Sequence, residues 1–169
     1  MPSNPLLLEI LNAVNPAKAE EITVEWRNVK WTFTTFLSER DNLWVDGKVP
    51  ASAAGTLMVM SILKTPELAA ALRSINGKPT RTYMADEVEE KLKGVRGGGA
   101  SEEDINWYTM AVTRDAVHAW LNESFDRDAV NELYNLYVSQ VREPAEKKRK
   151  DFFASSTETP PTPAGPQGT

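Results

Sequence analysis

His118 is the one side chain in this sequence whose ordinary pKa suits general acid–base work near neutral pH. It stands alone. With a single histidine and no cysteine, neither a His/Cys zinc set nor a thiol nucleophile can be assembled. No serine occupies a Gly-x-Ser-x-Gly elbow. Carboxylates come in two groups, Asp86, Glu87, Glu89 and Glu90, and then Glu102, Glu103 and Asp104. Paired carboxylates can run glycoside hydrolysis or hold a hard cation. Both groups, however, fall at predicted helix starts, where acids complement the helix dipole, and the spacing of a calcium loop is absent. His118 reads as a surface or boundary residue of a helix. The expectation is a non-catalytic protein with no catalytic, cofactor-binding or metal-binding residues and no cofactor.

Binding chemistry has more raw material. Trp26, Trp31, Trp44, Trp107 and Trp120 are many tryptophans for 169 residues, and they supply either core or an aromatic binding surface. Met58 and Met60, among small residues, pose the same choice. Gly97-Gly98-Gly99 lacks the preceding strand and following Lys-Ser/Thr of a phosphate loop, so it reads as a connector. Arg142 to Lys150 is rich in cations but lacks interleaved aromatics until Phe152-Phe153, so it reads as a solvated linker. Thr113 to Tyr137 has the outline of a helix-turn-helix, but its net acidity argues against a recognition helix meeting phosphate. A net charge of −5 and a pI near 5.0 likewise make nucleic acid an unexpected partner.

The elements that must position these residues are mostly helical. A β-hairpin is predicted first: Ile22, Val24 and Trp26 alternate with polar residues, as do Val29, Trp31 and Phe33. With Arg27-Asn28 as a two-residue turn, all six fall on one face. Ser38 and Asp41 have capping-box spacing for a short helix ending at Asp46-Gly47. Thr65-Pro66-Glu67 reads as a new helix start, running to a stop at Asn76-Gly77. Met84 to Lys93 forms another helix, ending at Gly94. Ser101/Asp104, Thr113 and Asp126 read as caps of three helices between Glu102 and Arg142, the last ended by Pro144. Leu6, Leu7, Leu8, Ile10 and Leu11 form a short amphipathic helix that makes a poor signal peptide, and no stretch approaches the roughly 20 apolar residues of a membrane span. From Ala154 onward, Ser, Thr, Pro and Gly predict disorder.

The predicted fold is therefore mainly α with a small N-terminal β-hairpin. Residues 1–96 hold the hairpin and first helices, 97–100 the Gly-rich connector, 101–143 a three-helix subdomain, and 144–169 a charged, then Pro/Thr-rich, disordered tail. Absent cysteines and membrane spans, the expected location is the cytoplasm.

This organisation resembles the tail assembly chaperones of long-tailed bacteriophages. The resemblance covers roughly residues 20–153 and is carried by a short polar start and five further features. These are the hairpin Val24-Glu25-Trp26 to Val29-Lys30-Trp31, the acidic Ser38-Glu39-Arg40-Asp41 turn, the helix ending Leu72-Arg73-Ser74-Ile75-Asn76-Gly77-Lys78-Pro79, the stretch Trp120 to Tyr137, and the Pro/Thr-rich end. It implies a non-catalytic factor of the host cytoplasm that coats a tape-measure or other tail protein until the tail tube polymerises, with self-association possible. No family site residue transfers to a position here. It also implies a longer −1 frameshift product, for which the Glu146-Lys147-Lys148 codons are the place near the end that can spell an adenine run. Two other readings stand beside it: a virion component such as a head–tail connector or baseplate protein, and an acidic helical regulatory binding protein.

Overall fold

The structure is a computed structural model and describes residues 20–53 and 55–156. The expected helix over Leu6–Leu11 and the expected disorder of residues 157–169 lie outside the described residues. Strands β1 (Glu21–Trp26) and β2 (Val29–Thr34) form the predicted hairpin. Arg27 and Asn28 both take positive φ, 52° and 61°, as a type I′ turn requires. Trp26 pairs with Val29, Val24 with Trp31 and Ile22 with Phe33. Val24, Trp26, Trp31 and Phe33 are buried together, while Thr23 and Thr32 hydrogen-bond across the strands at 2.8 Å.

The sheet then grows beyond the hairpin. The predicted helix through Leu72 and Ile75 is instead strand β3 (Leu72–Ile75), antiparallel to β2, and β4 (Lys78–Pro79) follows, giving the order β1-β2-β3-β4. Asn76-Gly77 is not a helix stop but the two-residue turn between them, with φ of 49° and 76°. Asn-Gly tolerates these angles better than almost any pair. Asn76 is also stitched to Lys30, donating its N–H to the carbonyl at 2.7 Å and accepting the Lys30 N–H on Oδ1 at 2.9 Å. Pairing with an available strand edge outweighs helix propensity over these four residues.

Helix α1 (Glu39–Asp46) carries the expected Ser38/Asp41 capping box and ends at Gly47. Helix α2 runs unbroken over Thr56–Ala71, so Thr65-Pro66-Glu67 is not a start. Pro66 removes one backbone bond inside that helix, and its complete burial beside Leu68 and Ala69–Ala71 offsets the loss. After β4 come α3 (Thr80–Tyr83) and α4 (Ala85–Arg96), which passes through Gly94 and ends at Gly97.

The second half differs most from expectation. Ser101/Asp104 does cap α5, but α5 spans Glu102–Ser124 without a break. Thr113 is no cap: its hydroxyl donates to the Thr109 carbonyl at 2.7 Å, satisfied within the helix. Asp126 accepts the Ala129 N–H at 2.7 Å and caps α6 (Arg127–Tyr137). Pro144 does not stop the chain either. A π-helical turn (Val138–Arg142) leads directly into α7 (Glu143–Ser156). The widened turn relieves the contact between the proline ring and the carbonyl four residues back. The cation-rich segment expected as a linker, and Ala154–Ser156 expected as disordered, are therefore helical.

Residues 101–143 share their core with the first half. Phe33, Leu68, Val88, Leu92, Val117, Leu121, Leu133, Tyr137 and Val141 belong to one buried cluster. The glycine connector is a turn between two helices that pack on each other. Ion pairs bind the layers. Asp41 of α1 meets Arg114 of α5 with both side chains buried. Glu67 of α2 accepts from Arg142 at 2.6 Å and from the Tyr134 hydroxyl at 2.8 Å. Burial, with the hydrogen bond and charge of Glu67, pushes the Tyr134 phenol up to about 12. Burial opposes the Arg142 charge, but Glu67 and Tyr134 outweigh it and raise its pKa.

Candidate functional site

The hairpin places Trp26 and Trp31 on adjacent strands, one inter-strand step apart, with ring centroids 5.9 Å apart, edge to face. Helix α5 brings Trp120 against Trp31, stacked at 6.2 Å. Phe125, where α5 ends, stands among all three, 5.9 Å from Trp26, 6.0 Å from Trp31 and 5.4 Å from Trp120. These rings form one wall of a groove of about 840 Å³ whose other sides include Met84, Glu87 and Lys91 around α4, and Ala116, Ala119 and Glu123 of α5.

The polar groups around the rings divide into used and free. Trp26 Nε1 donates to Glu132 at 3.1 Å, and Trp31 Nε1 donates to the Trp26 carbonyl at 3.4 Å. Arg27 lies 4.4 Å over the Trp26 ring and also reaches Glu132 at 3.1 Å. Asn76, which lines the groove, accepts the Lys30 backbone N–H on Oδ1 at 2.9 Å. Glu87, Lys91, Glu123 and the Trp120 indole N–H have no hydrogen-bond or ion-pair partner among the described residues. The groove thus combines an apolar floor, rigid rings and a few solvent-exposed charged groups at its sides, the composition of sites that hold a hydrophobic segment in a defined orientation.

His118 lies outside this groove. It is half-buried, meets the Trp44 ring edge to face at 6.0 Å and hydrogen-bonds with Asn122 at 3.2 Å. Burial lowers its pKa, the Lys48 charge lowers it further, and Asp115 partly opposes them. The unfolded chain therefore binds a proton at this position before the folded one does. The stabilisation this provides is fully present above the ordinary histidine pKa and is lost as pH falls through the lowered folded value. Urea unfolding of the wild type should weaken over that acidic window, and His118→Phe should flatten this part of the profile. An unchanged profile in the variant would assign the acid sensitivity elsewhere.

The carboxylates do not assemble. Glu89 pairs with Arg96 at 2.8 Å and Arg81 at 3.8 Å, Asp104 serves its cap, and Glu103 reaches Arg40 at 3.5 Å. Glu87 alone of these reaches the groove. Among the described residues no three His, Asp or Glu side chains are placed to hold a metal, and no helix is long and apolar enough to cross a membrane. The tryptophans split: Trp26 and Trp31 are buried, Trp44 and Trp120 are partly covered, and Trp107 is exposed. Met60 is exposed on α2. Of the cation-rich segment, Arg142 is committed to Glu67, Lys148 lies 3.7 Å from Glu20, and Arg149 covers the Phe36 ring.

Phe125, which touches all three tryptophans of the wall, is not singled out by the pattern of the sequence. A phenylalanine just before the Asp126 cap is a usable signal, because a hydrophobic residue there often fixes how the chain enters the next helix. No family model matches the chain, and neither a curated protein nor a solved structure shows significant similarity to it.

Proposed function

We propose that this protein is a non-catalytic binding factor that holds an apolar segment of a partner protein in the aromatic groove, as a tail assembly chaperone holding a tape-measure or other tail protein would. The observation that carries this reading is the groove itself: Trp31, Trp120 and Phe125 along one wall, with Glu87, Lys91 and Glu123, unpaired among the described residues, around it. Rigid aromatic rings give large contact area at little entropic cost, which suits reversible capture of varied apolar sequence. Release then needs only a competing surface, such as a polymerising tube, and no nucleotide.

Ala119 is exposed on α5 and lines the groove. Ala119→Trp should fill the groove while leaving the core intact. The fluorescent apolar probe anilinonaphthalene sulfonate should bind the wild type and lose affinity for the variant by about tenfold or more, the scale of a blocked hot-spot pocket. Equal affinity for both proteins would remove the groove as the binding surface. The assembly role is tested at the gene. A tail-tube gene just upstream and a very long helical reading frame just downstream support it, and co-expression should then keep the long product soluble. Recovery of this chain in mature particles would transfer the reading to a virion component.

A further inference from the structure

The two outer edges of the sheet differ. At one end β4 is only Lys78–Pro79, and Pro79 has no N–H to donate. At the other, β1 is paired along its whole length, but with β2 alone. The register fixes which backbone groups face outward. The Thr35 N–H donates to the Glu20 carbonyl at 2.8 Å, so Glu20 and, by alternation, Ile22, Val24 and Trp26 turn their N–H and C=O groups to β2. Glu21, Thr23 and Glu25 point theirs away from the sheet, and no hydrogen bond from a described residue reaches them there. Their side chains are exposed as well. Glu21 and Glu25 make no ion pair among the described residues. Lys30 stands opposite Glu25 on β2 but outside ion-pair distance, Arg27 is committed to Glu132, and Lys148 reaches Glu20 instead.

An open strand edge is a template for another strand, and here the charges select which one. A second copy pairing antiparallel about Thr23, the register that uses every outward group, sets Glu21 opposite Glu25 twice. Like charges directly opposite one another are destabilising. The ends of this chain lack the complement: residues 157–169 contain no cation and four prolines, and residues 1–19 a single cation, Lys18. We propose that the β1 edge binds an extended basic segment of another protein by antiparallel strand addition. One cation of the segment lies opposite Glu21 and another opposite Glu25, and apolar side chains between them extend the inner face beside Ile22 and Val24. The proposal does not depend on the aromatic groove.

Titration of the isotope-labelled full chain with the peptide Thr-Lys-Val-Thr-Val-Lys-Thr, followed through its amide resonances, tests it. The peptide should shift the amides of Glu21, Thr23 and Glu25 and slow their hydrogen exchange. The double variant Glu21→Lys/Glu25→Lys turns two attractions into two repulsions, so it should bind this peptide about tenfold more weakly. It should take Thr-Glu-Val-Thr-Val-Glu-Thr in its place. Methylating the nitrogen of the peptide's central threonine, which would face β1, should abolish binding, whereas methylating a valine nitrogen, which would face away, should not. No shift at millimolar peptide, indifference to charge reversal, or indifference to the central methyl group would each overturn the proposal. So would Glu21, Thr23 and Glu25 amides already protected in the free chain. Protection that grows with protein concentration would give the edge to a second copy, and protection at every concentration would give it to residues of the same chain.

Discussion

Asp41→Ala should destabilise the protein by about 3–5 kcal/mol, the cost of breaking a buried ion pair by removing one partner. Asp41 and Arg114 are both buried, and their contact ties α1 to the middle of α5. Burial pushes the Arg114 guanidinium pKa down, Asp41 pushes it up, and Arg73 lowers it again. Without Asp41, the guanidinium is left in the interior with Nη1 already lacking a hydrogen-bond partner. The same substitution also removes the Ser38 capping box, because Asp41 Oδ2 accepts from the Ser38 N–H at 2.7 Å and the Ser38 hydroxyl at 2.8 Å. Arg114→Met should cost less, since the orphaned carboxylate keeps both of those hydrogen bonds. The double variant should fall short of the sum of the singles by about 0.5–3 kcal/mol, the usual coupling between contacting residues. Urea titration at constant m-value measures all three. An Asp41→Ala protein within about 1 kcal/mol of the wild type would show that the pair contributes little to holding α1 in place.

Trp31→Ala should cost a similar amount, about 3–5 kcal/mol, and should abolish binding in the groove as well. Trp31 is 3% exposed and touches Trp26, Trp120 and Phe125. Truncation opens a cavity behind the groove's aromatic wall, and the rings that leaned on it lose their positions. Trp31→Phe keeps a ring on β2 and should retain most of the stability, with weaker probe affinity as the stack on Trp120 shortens. Stability and anilinonaphthalene sulfonate affinity measured on the same preparations separate the two effects. Full binding by a destabilised Trp31→Ala protein would mean that the wall forms without its central ring, and the groove would have to be redrawn around Trp120 and Phe125.

Local chemistry was readable wherever a few neighbouring residues settle the outcome. The alternation of Ile22, Val24 and Trp26 against Val29, Trp31 and Phe33 specifies hairpin register, because slipping by one residue would turn every apolar side chain to the other face. Ser38/Asp41, Ser101/Asp104 and Asp126 specify helix starts, because the cap bonds span only three residues. The mainly helical class follows from the same signals.

Where two local rules compete, tertiary partners decide. Asn76-Gly77 suits a helix stop and a hairpin turn equally, and the open edge of β2 selects the turn. Pro66 and Pro144 each favour a break, yet burial of Pro66 in one case and a π turn in the other carry the helix onward. Thr113 offers a cap that α5 does not need, because its face is already committed to the core through Arg114, Val117 and Leu121. The site belongs wholly to this second category. All five tryptophans look alike in the chain, and only the packing of α5 across the hairpin puts Trp31 and Trp120 in one wall while leaving Trp107 in solvent. That wall unites residues about 90 positions apart, and no local preference encodes such a contact. It exists because sheet and helices bury their apolar faces against one another in a single shared core.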